Sequence, residues 1–204
     1  MKTLVVAMLA MAMLVGCNSE PTKPAEPEKP KAAELLSGRA AFQKTFIQAR
    51  HWATDGQPYR LESQPNSDSK GRDGKAAIWR ASFGSPGQMR ATKPFIWSGS
   101  NASDAPSRGV SPGTEDTYSA TNNNTRIFDS AFLKVDSDQA FDVAQKHGGD
   151  KVLDKNPDLP VIYILDFNRE NELIWHVIYG SDRDSAKLRV AVNASTGDYM
   201  HVEK

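Results

Sequence analysis

Apolar residues open the chain as one unbroken run, Leu4 to Val15, set between Lys2 and the pair Gly16-Cys17. As a helix this run would reach about 18 Å, against roughly 30 Å of bilayer hydrocarbon, so it is too short to span. A positive start, an apolar stretch and a small residue at its end predict a cleavable secretory signal over residues 1–16. The pattern then changes abruptly. Residues 18–33 read NSEPTKPAEPEKPKAA, with Pro21, Pro24, Pro27 and Pro30 at intervals of three. That is the period of polyproline II, and no core can form from it. At about 3.1 Å per residue such a segment would hold the remainder of the chain on the order of 40–50 Å from its point of attachment. No apolar or aromatic flank accompanies the prolines, which favours a stalk over a recognition ligand.

Periodic apolar positions begin beyond the stalk. Phe42, Phe46, Ala49 and Ala53, with Leu35 upstream and Asp55-Gly56 closing the run, predict an amphipathic helix over about residues 38–54. A second helix is expected after Val135: Asp136 and Gln139 stand at capping-box spacing, Ala140, Val143, Ala144 and His147 share a face, and Gly148-Gly149 ends it. Strand-like segments come after each helix. In the second half these are residues 161–167, 172–180 and 187–194, then a Ser195-Thr196-Gly197-Asp198 turn and a last strand from Tyr199 to Val202. In the first half they are Tyr59 to Ser63, 75–85 and 88–97. Residues 98–125 hold almost nothing bulky except Val110 and Tyr118, and are read as a loop, either mobile or a binding surface.

The two halves match each other. AAIWRASFGS (76–85) aligns with ELIWHVIYGS (172–181) at Ile78 and Ile174, Trp79 and Trp175, Gly84 and Gly180, and Ser85 and Ser181. An internal duplication is the simplest organisation. The expected fold is α+β, in two related halves, each a helix packed on a small antiparallel sheet. The boundaries are a signal at 1–16, a Cys and proline-rich linker at 17–33, a first half at 34–98, a polar loop at 99–126 and a second half at 127–204. Alternation places Leu173, Trp175, Val177 and Tyr179 on one sheet face, and Ala77, Trp79, Ala81 and Phe83 on its counterpart. Trp79 and Trp175 therefore read first as core beneath the helices. With Tyr118 they are also the aromatic candidates for ligand contact.

Composition narrows the class. Of 204 residues 39% are apolar and 25% charged, near the globular average, so a packed fold is expected rather than a disordered chain. Basic and acidic residues balance at 25 each, without the basic excess that phosphate backbones select, so nucleic acid is not the expected partner. Cys17 is the single cysteine, which rules out an intramolecular disulfide.

Leu14-Val15-Gly16-Cys17 resembles the bacterial lipobox: a large aliphatic residue, a small or β-branched one, a small one and Cys. The resemblance implies that the Cys17 thiol takes a diacylglycerol, that the Gly16–Cys17 bond is cut, and that the new amine can be acylated, palmitate being one such chain. Two or three acyl chains, at about 0.8 kcal/mol per buried methylene, hold a protein on a membrane where one chain does not. Asn18 comes directly after the lipidated position. In Gram-negative lipoproteins an Asp there commonly marks inner-membrane retention, so the resemblance implies the outer membrane, facing the periplasm.

Residues 130–204 resemble a PepSY domain, through Ala140 and Ala144 on a helix, Trp175 and Tyr179 alternating with aliphatics, and Val192 to Gly197 closing the last hairpin. Asn193 and Ser195 stand where that family commonly has Asp and Thr. The first half joins only through the internal repeat. The family occurs in propeptides of secreted metallopeptidases and in envelope proteins, which implies a protein partner in the envelope and regulation or inhibition of a peptidase.

The motifs of catalysis are absent from the sequence: no Gly-x-Ser-x-Gly, phosphate loop, dinucleotide fingerprint or His-Glu-x-x-His occurs. Asn66, Asp68, Lys70 and Gly71 faintly suggest a calcium loop, but Lys70 and Ala77 stand at ligand positions, so the stretch is read as a solvated turn. His51, His147, His176 and His201 show no metal spacing, and His147 suits a helix end. No catalytic residue, metal or cofactor is assigned. The reading is a membrane-anchored envelope lipoprotein acting as a non-catalytic binding module. The alternatives are an envelope structural or glycan-binding lipoprotein, and a hydrolase with an unrecognised site.

Overall fold

The computed structural model of the chain describes residues 32–87 and 90–203. The signal peptide, Gly16, Cys17 and nearly all of the stalk lie outside the described residues. So do Gln88 and Met89, at the start of one expected strand.

Eleven strands and three α-helices make up the described chain. A two-residue strand, β1 (Leu36–Ser37), leads into α1 (Gly38–Trp52). Then come β2 (Gln57–Gln64), β3 (Lys75–Ala76), β4 (Ile78–Ser85), β5 (Ala91–Ser98), β6 (Gly109–Pro112) and β7 (Asp116–Thr117). The second half contributes α2 (Ser137–Ala144), α3 (Asp150–Lys155), β8 (Val161–Phe167), β9 (Leu173–Tyr179), β10 (Leu188–Asn193) and β11 (Tyr199–Val202). β8 and β11 fall where alternation put them. Every pairing is antiparallel.

The fold is α+β, but its strands do not form two small sheets. One nine-stranded sheet runs β11-β10-β9-β8-β2-β4-β5-β6, with β7 also on β5, and β1 pairs separately with β3. The join is β2 against β8, in the register Arg60↔Asp166, Leu61↔Leu165 and Glu62↔Ile164. Outward from this seam the order is the same on both sides: three hairpin-connected strands and a short outer one.

Period-two alternation aims one face of this sheet at the helices. Leu61, Trp79, Ala81, Phe83, Tyr163, Leu165, Trp175, Val177 and Tyr179 are all fully enclosed in one core with Ala41, Ala49, Ala140 and Ala144 of the helices. Alanines at the helix contacts let the backbones sit close to the bulky sheet side chains, so volume is supplied from one layer and withheld from the other. At the centre Trp79 and Trp175 meet edge to face, ring centroids 6.3 Å apart at 71°. Each indole N–H donates to the carbonyl of the residue just before its own helix's N-cap, Trp79 to Leu36 and Trp175 to Val135, both at 2.9 Å. Gly38 is the close-approach position here: a Cβ on it would lie 2.5 Å from the Trp175 ring.

The two helix N-termini interlock. Asp136 and Gln139 form the expected capping box on α2. The same Asp136 carboxylate accepts the Arg39 N–H of α1 at 2.9 Å and the Ser37 hydroxyl at 2.7 Å, while Ser137 Oγ accepts the Gly38 N–H at 2.7 Å. Ser37, the N-cap of α1, makes no side-chain cap of its own. The first orphan amides of α1 are thus satisfied by the start of α2.

Two expectations are corrected. Gly148-Gly149 stops the second helix only locally: Gly148 takes φ +108° within a wide turn at 145–149 that follows α2, and Gly149 returns to helical angles and leads into α3, which runs to Lys155. Residues 98–125 are not one loop, since β6 and β7 extend the sheet along β5. The 66–71 stretch is a turn, yet its end is bound down. Val161 N–H donates to Lys70 O at 2.8 Å, and Gly71, at φ +69°, lies so close that a Cβ would overlap Val161 O.

Candidate functional site

The other face of the sheet carries charge, arranged in a row across the strands. Arg80 on β4 meets Glu62 on β2 at 3.2 Å. Glu62 meets Arg60 at 2.9 Å, and Arg60 reaches Asp166 on β8 at 3.5 Å. Asp166 holds His176 Nε2 on β9 at 3.0 Å, and Glu203, one residue past β11, holds His176 Nδ1 at 2.5 Å. Glu203 is in turn 3.9 Å from Arg189 on β10. The signs alternate along the whole row, so each charge is flanked by opposite ones. Register produces this arrangement: Glu62 pairs across from Arg80, Arg60 from Asp166, and Ile164, next but one to Asp166, from His176.

His176 is the best enclosed member, its side chain 9% exposed. Burial alone would push its pKa down, but the hydrogen bonds and charges of Asp166 and Glu203 outweigh that and raise it. Burial acts to raise Asp166 and Glu203, and the hydrogen bonds and charge of His176 overcome it, with Arg60 and Arg183 aiding Asp166 and Arg183 and Arg189 aiding Glu203, so both lie below the usual carboxylate range. With a carboxylate at each ring nitrogen, the geometry suits an imidazolium that donates from both. Such an imidazole has no free lone pair to act as a base. Ile162, Ile164 and Ile178 flank it on this face, beneath Ala186 of the β9–β10 loop.

That loop, residues 180–187, folds over the row. Asp182 organises its tip by accepting from the Ser185 N–H at 2.8 Å and the Ser185 hydroxyl at 2.6 Å. Arg183 and Lys187 then line a cleft of about 360 Å³ with Arg189, Val202 and Glu203. A second cleft, of about 170 Å³, lies where Arg60, Asp166 and Arg183 face Tyr59, Asn123 and Arg126.

The aromatic candidates separate. Trp79 and Trp175 are fully enclosed and present no ring face to solvent. Tyr118 is half-buried: its ring covers Gly84, and it lines a depression of about 350 Å³ with Pro86 and Arg90. His147 stacks on Tyr199 at 3.7 Å and 5°. Sequence reasoning missed the row altogether. Its one visible signal is His176, a polar residue in the middle of the apolar strand LIWHVIY.

Among the described residues no group of three or more His, Cys, Asp or Glu is disposed to hold a metal ion, and no helix is long and apolar enough to cross a membrane. No protein family and no curated protein matches the chain. Among solved structures, the chain resembles the crystal structure of a "putative lipoprotein" from Clostridium difficile 630, with a TM-score of 0.52 and 11% identity over 80% of this chain and 91% of that one. The likeness is one of fold.

Proposed function

We propose that this chain is a lipid-anchored envelope protein whose folded part is a non-catalytic binding module. The observation that carries the reading is Leu14-Val15-Gly16-Cys17 directly ahead of a proline-rich spacer and a folded remainder. The fold likeness to a protein described as a lipoprotein agrees with it. The reading of the outer membrane, facing the periplasm, rests on Asn18.

Binding rather than catalysis is supported by the state of the titratable groups. The best-enclosed histidine has both ring nitrogens committed to carboxylates, and among the described residues no hydroxyl is bonded to it. We also read the chain as two related, PepSY-like halves. The matching strand order on each side of β2–β8 and the equivalent indole bonds to Leu36 and Val135 support that duplication.

A partner in the envelope, a peptidase being the case the PepSY resemblance suggests, would meet the module at the β11 edge. β11 pairs with β10 alone, and Glu203 N–H donates to Arg189 O, so alternation turns the Val202 amide outward. Tyr199 and Val202 are exposed there at 38% and 44%. An edge strand with exposed apolar side chains can take an extended segment as an added strand. Pro112 at the opposite edge has no N–H to offer.

Mass spectrometry of protein from native membranes tests the anchor. The expected N-terminal residue is Cys17 bearing a diacylglycerol, and an unmodified Cys17, or residues 1–16 still attached, would overturn it. Titrating the protein into envelope peptidases tests the inhibitor reading, which unchanged turnover throughout would remove.

A further inference from the structure

We propose that the 170 Å³ cleft on the charged face is an oxyanion site, built to take a phosphate group. It is independent of the anchor and of any peptidase contact. Three guanidinium groups, Arg60, Arg126 and Arg183, line it against a single carboxylate, Asp166.

How each arginine is spent decides the matter. Arg80 and Arg189, on the same face but outside this cleft, are paired with carboxylates, and Arg60 is divided between Glu62 and Asp166. Arg126 has neutral partners, the Asn168 carbonyl and Asn171 Oδ1, both at 2.5 Å. Those bonds fix its orientation and leave its charge uncompensated. Arg183 makes no ion pair within 4.0 Å among the described residues; it acts on Asp166 and Glu203 only through its longer-range field. Its Nε is enclosed without an acceptor among the described residues. What Arg183 brings to the cleft is a guanidinium with no carboxylate partner among the described residues.

The cleft therefore offers one oriented and one unpaired guanidinium, beside a third that is only partly neutralised. The planar fork of N–H donors matches oxyanions, whose oxygens accept two bonds at once. Tyr59 and Asn123 add a hydroxyl and an amide at the rim, neither of them bonded through its side chain among the described residues. With Arg60 offset by Glu62 and Asp166, the guanidiniums of Arg126 and Arg183 leave an excess suited to a dianion, which a phosphate monoester approaches at neutral pH and a single carboxylate does not. The source of that phosphate, free in solution or carried by a lipid headgroup, shares this chemistry.

The test is calorimetric titration of the full chain in neutral detergent, in chloride buffer, with inorganic phosphate and, separately, with glycerol 3-phosphate as the headgroup fragment. Saturable one-site binding of either is expected, and which of the two binds identifies the source. Arg126→Gln and Arg183→Gln should each weaken it at least tenfold in protein that circular dichroism shows to be folded, while Arg80→Gln leaves it intact. Each substitution reports alone if the other fails to fold. Absence of saturable binding to both probes, or binding that survives Arg126→Gln and Arg183→Gln, would overturn the site. Acetate binding more tightly than either phosphate would overturn the assignment to phosphate.

Discussion

The two faces of the one sheet are made by the same strands and ordered by different forces. On the helix side every second residue is apolar, and the layer is held by burial: Trp79, Trp175, Tyr163, Tyr179 and Phe83 are all fully enclosed. On the open side the intervening residues are Arg80, Glu62, Arg60, Asp166, His176 and Arg189, held by an alternation of charge across the strands. The open side is not purely polar, since Ile162, Ile164 and Ile178 form a smaller buried cluster there. Apolar burial contributes most of the free energy of such a domain, whereas partly solvated ion pairs contribute little each and mainly fix geometry.

The covered side is the more vulnerable of the two. Trp175→Ala removes a fully enclosed ring and the bond to Val135 O, and is expected to cost about 3–5 kcal/mol, read as a lowered midpoint in urea denaturation. On the open side His176→Gln leaves Asp166 and Glu203 without the cation between them. The expected loss is about 2 kcal/mol, below that of a fully buried pair because the carboxylates reach solvent.

The same histidine gives the open face a pH signature. Its raised pKa means that its contribution is fully present below the ordinary histidine value of about 6.5 and is lost as pH rises through the folded value. Asp166 and Glu203, both depressed, contribute above their ordinary values, and that part is lost as pH falls through their folded values. Melting temperature plotted against pH should therefore show a plateau with a fall at each side, and His176→Gln should remove the alkaline fall.

Smaller losses are expected where each face meets its margin. Asp136→Ala takes a cap from α2 and an acceptor from α1 together, so about 1–2 kcal/mol is expected, toward the upper range for a helix cap. Circular dichroism during thermal melting would follow it. Glu203→Gln keeps a hydrogen-bond acceptor for His176 and removes one of the two negative charges that face it, leaving Asp166 in place. A loss of under about 1 kcal/mol is expected by the same melting experiment.

Much of the covered side was legible in the sequence and little of the open side. Helix periodicity located α1, the Asp136/Gln139 spacing located the α2 cap, and alternation located β8 and β11, because each of these is set by residues near in the chain. β6 and β7 escaped because Gly109, Pro112 and Asp116 give a short outer strand no alternating signal; pairing to β5 makes them strands. α3 escaped because Gly148 does stop the helix locally, and only the return of Gly149 to helical angles restarts it. The charged row escaped for a different reason. His176 finds its partners 10 and 27 residues away, and which carboxylates face it depends on strand register that no local pattern encodes. The lipobox reading rests on a local motif and needs no register.

Charge pairing orders the open face, and His176 is where that pairing is densest. The pH titration of its ring, followed by NMR in the folded protein, reads the pairing directly. An imidazolium that stays protonated well above the pH at which an ordinary histidine loses its proton is expected. A ring that is neutral at about pH 6, below the ordinary histidine value, or one that titrates with the same midpoint after Glu203→Gln and Asp166→Asn, would contradict it.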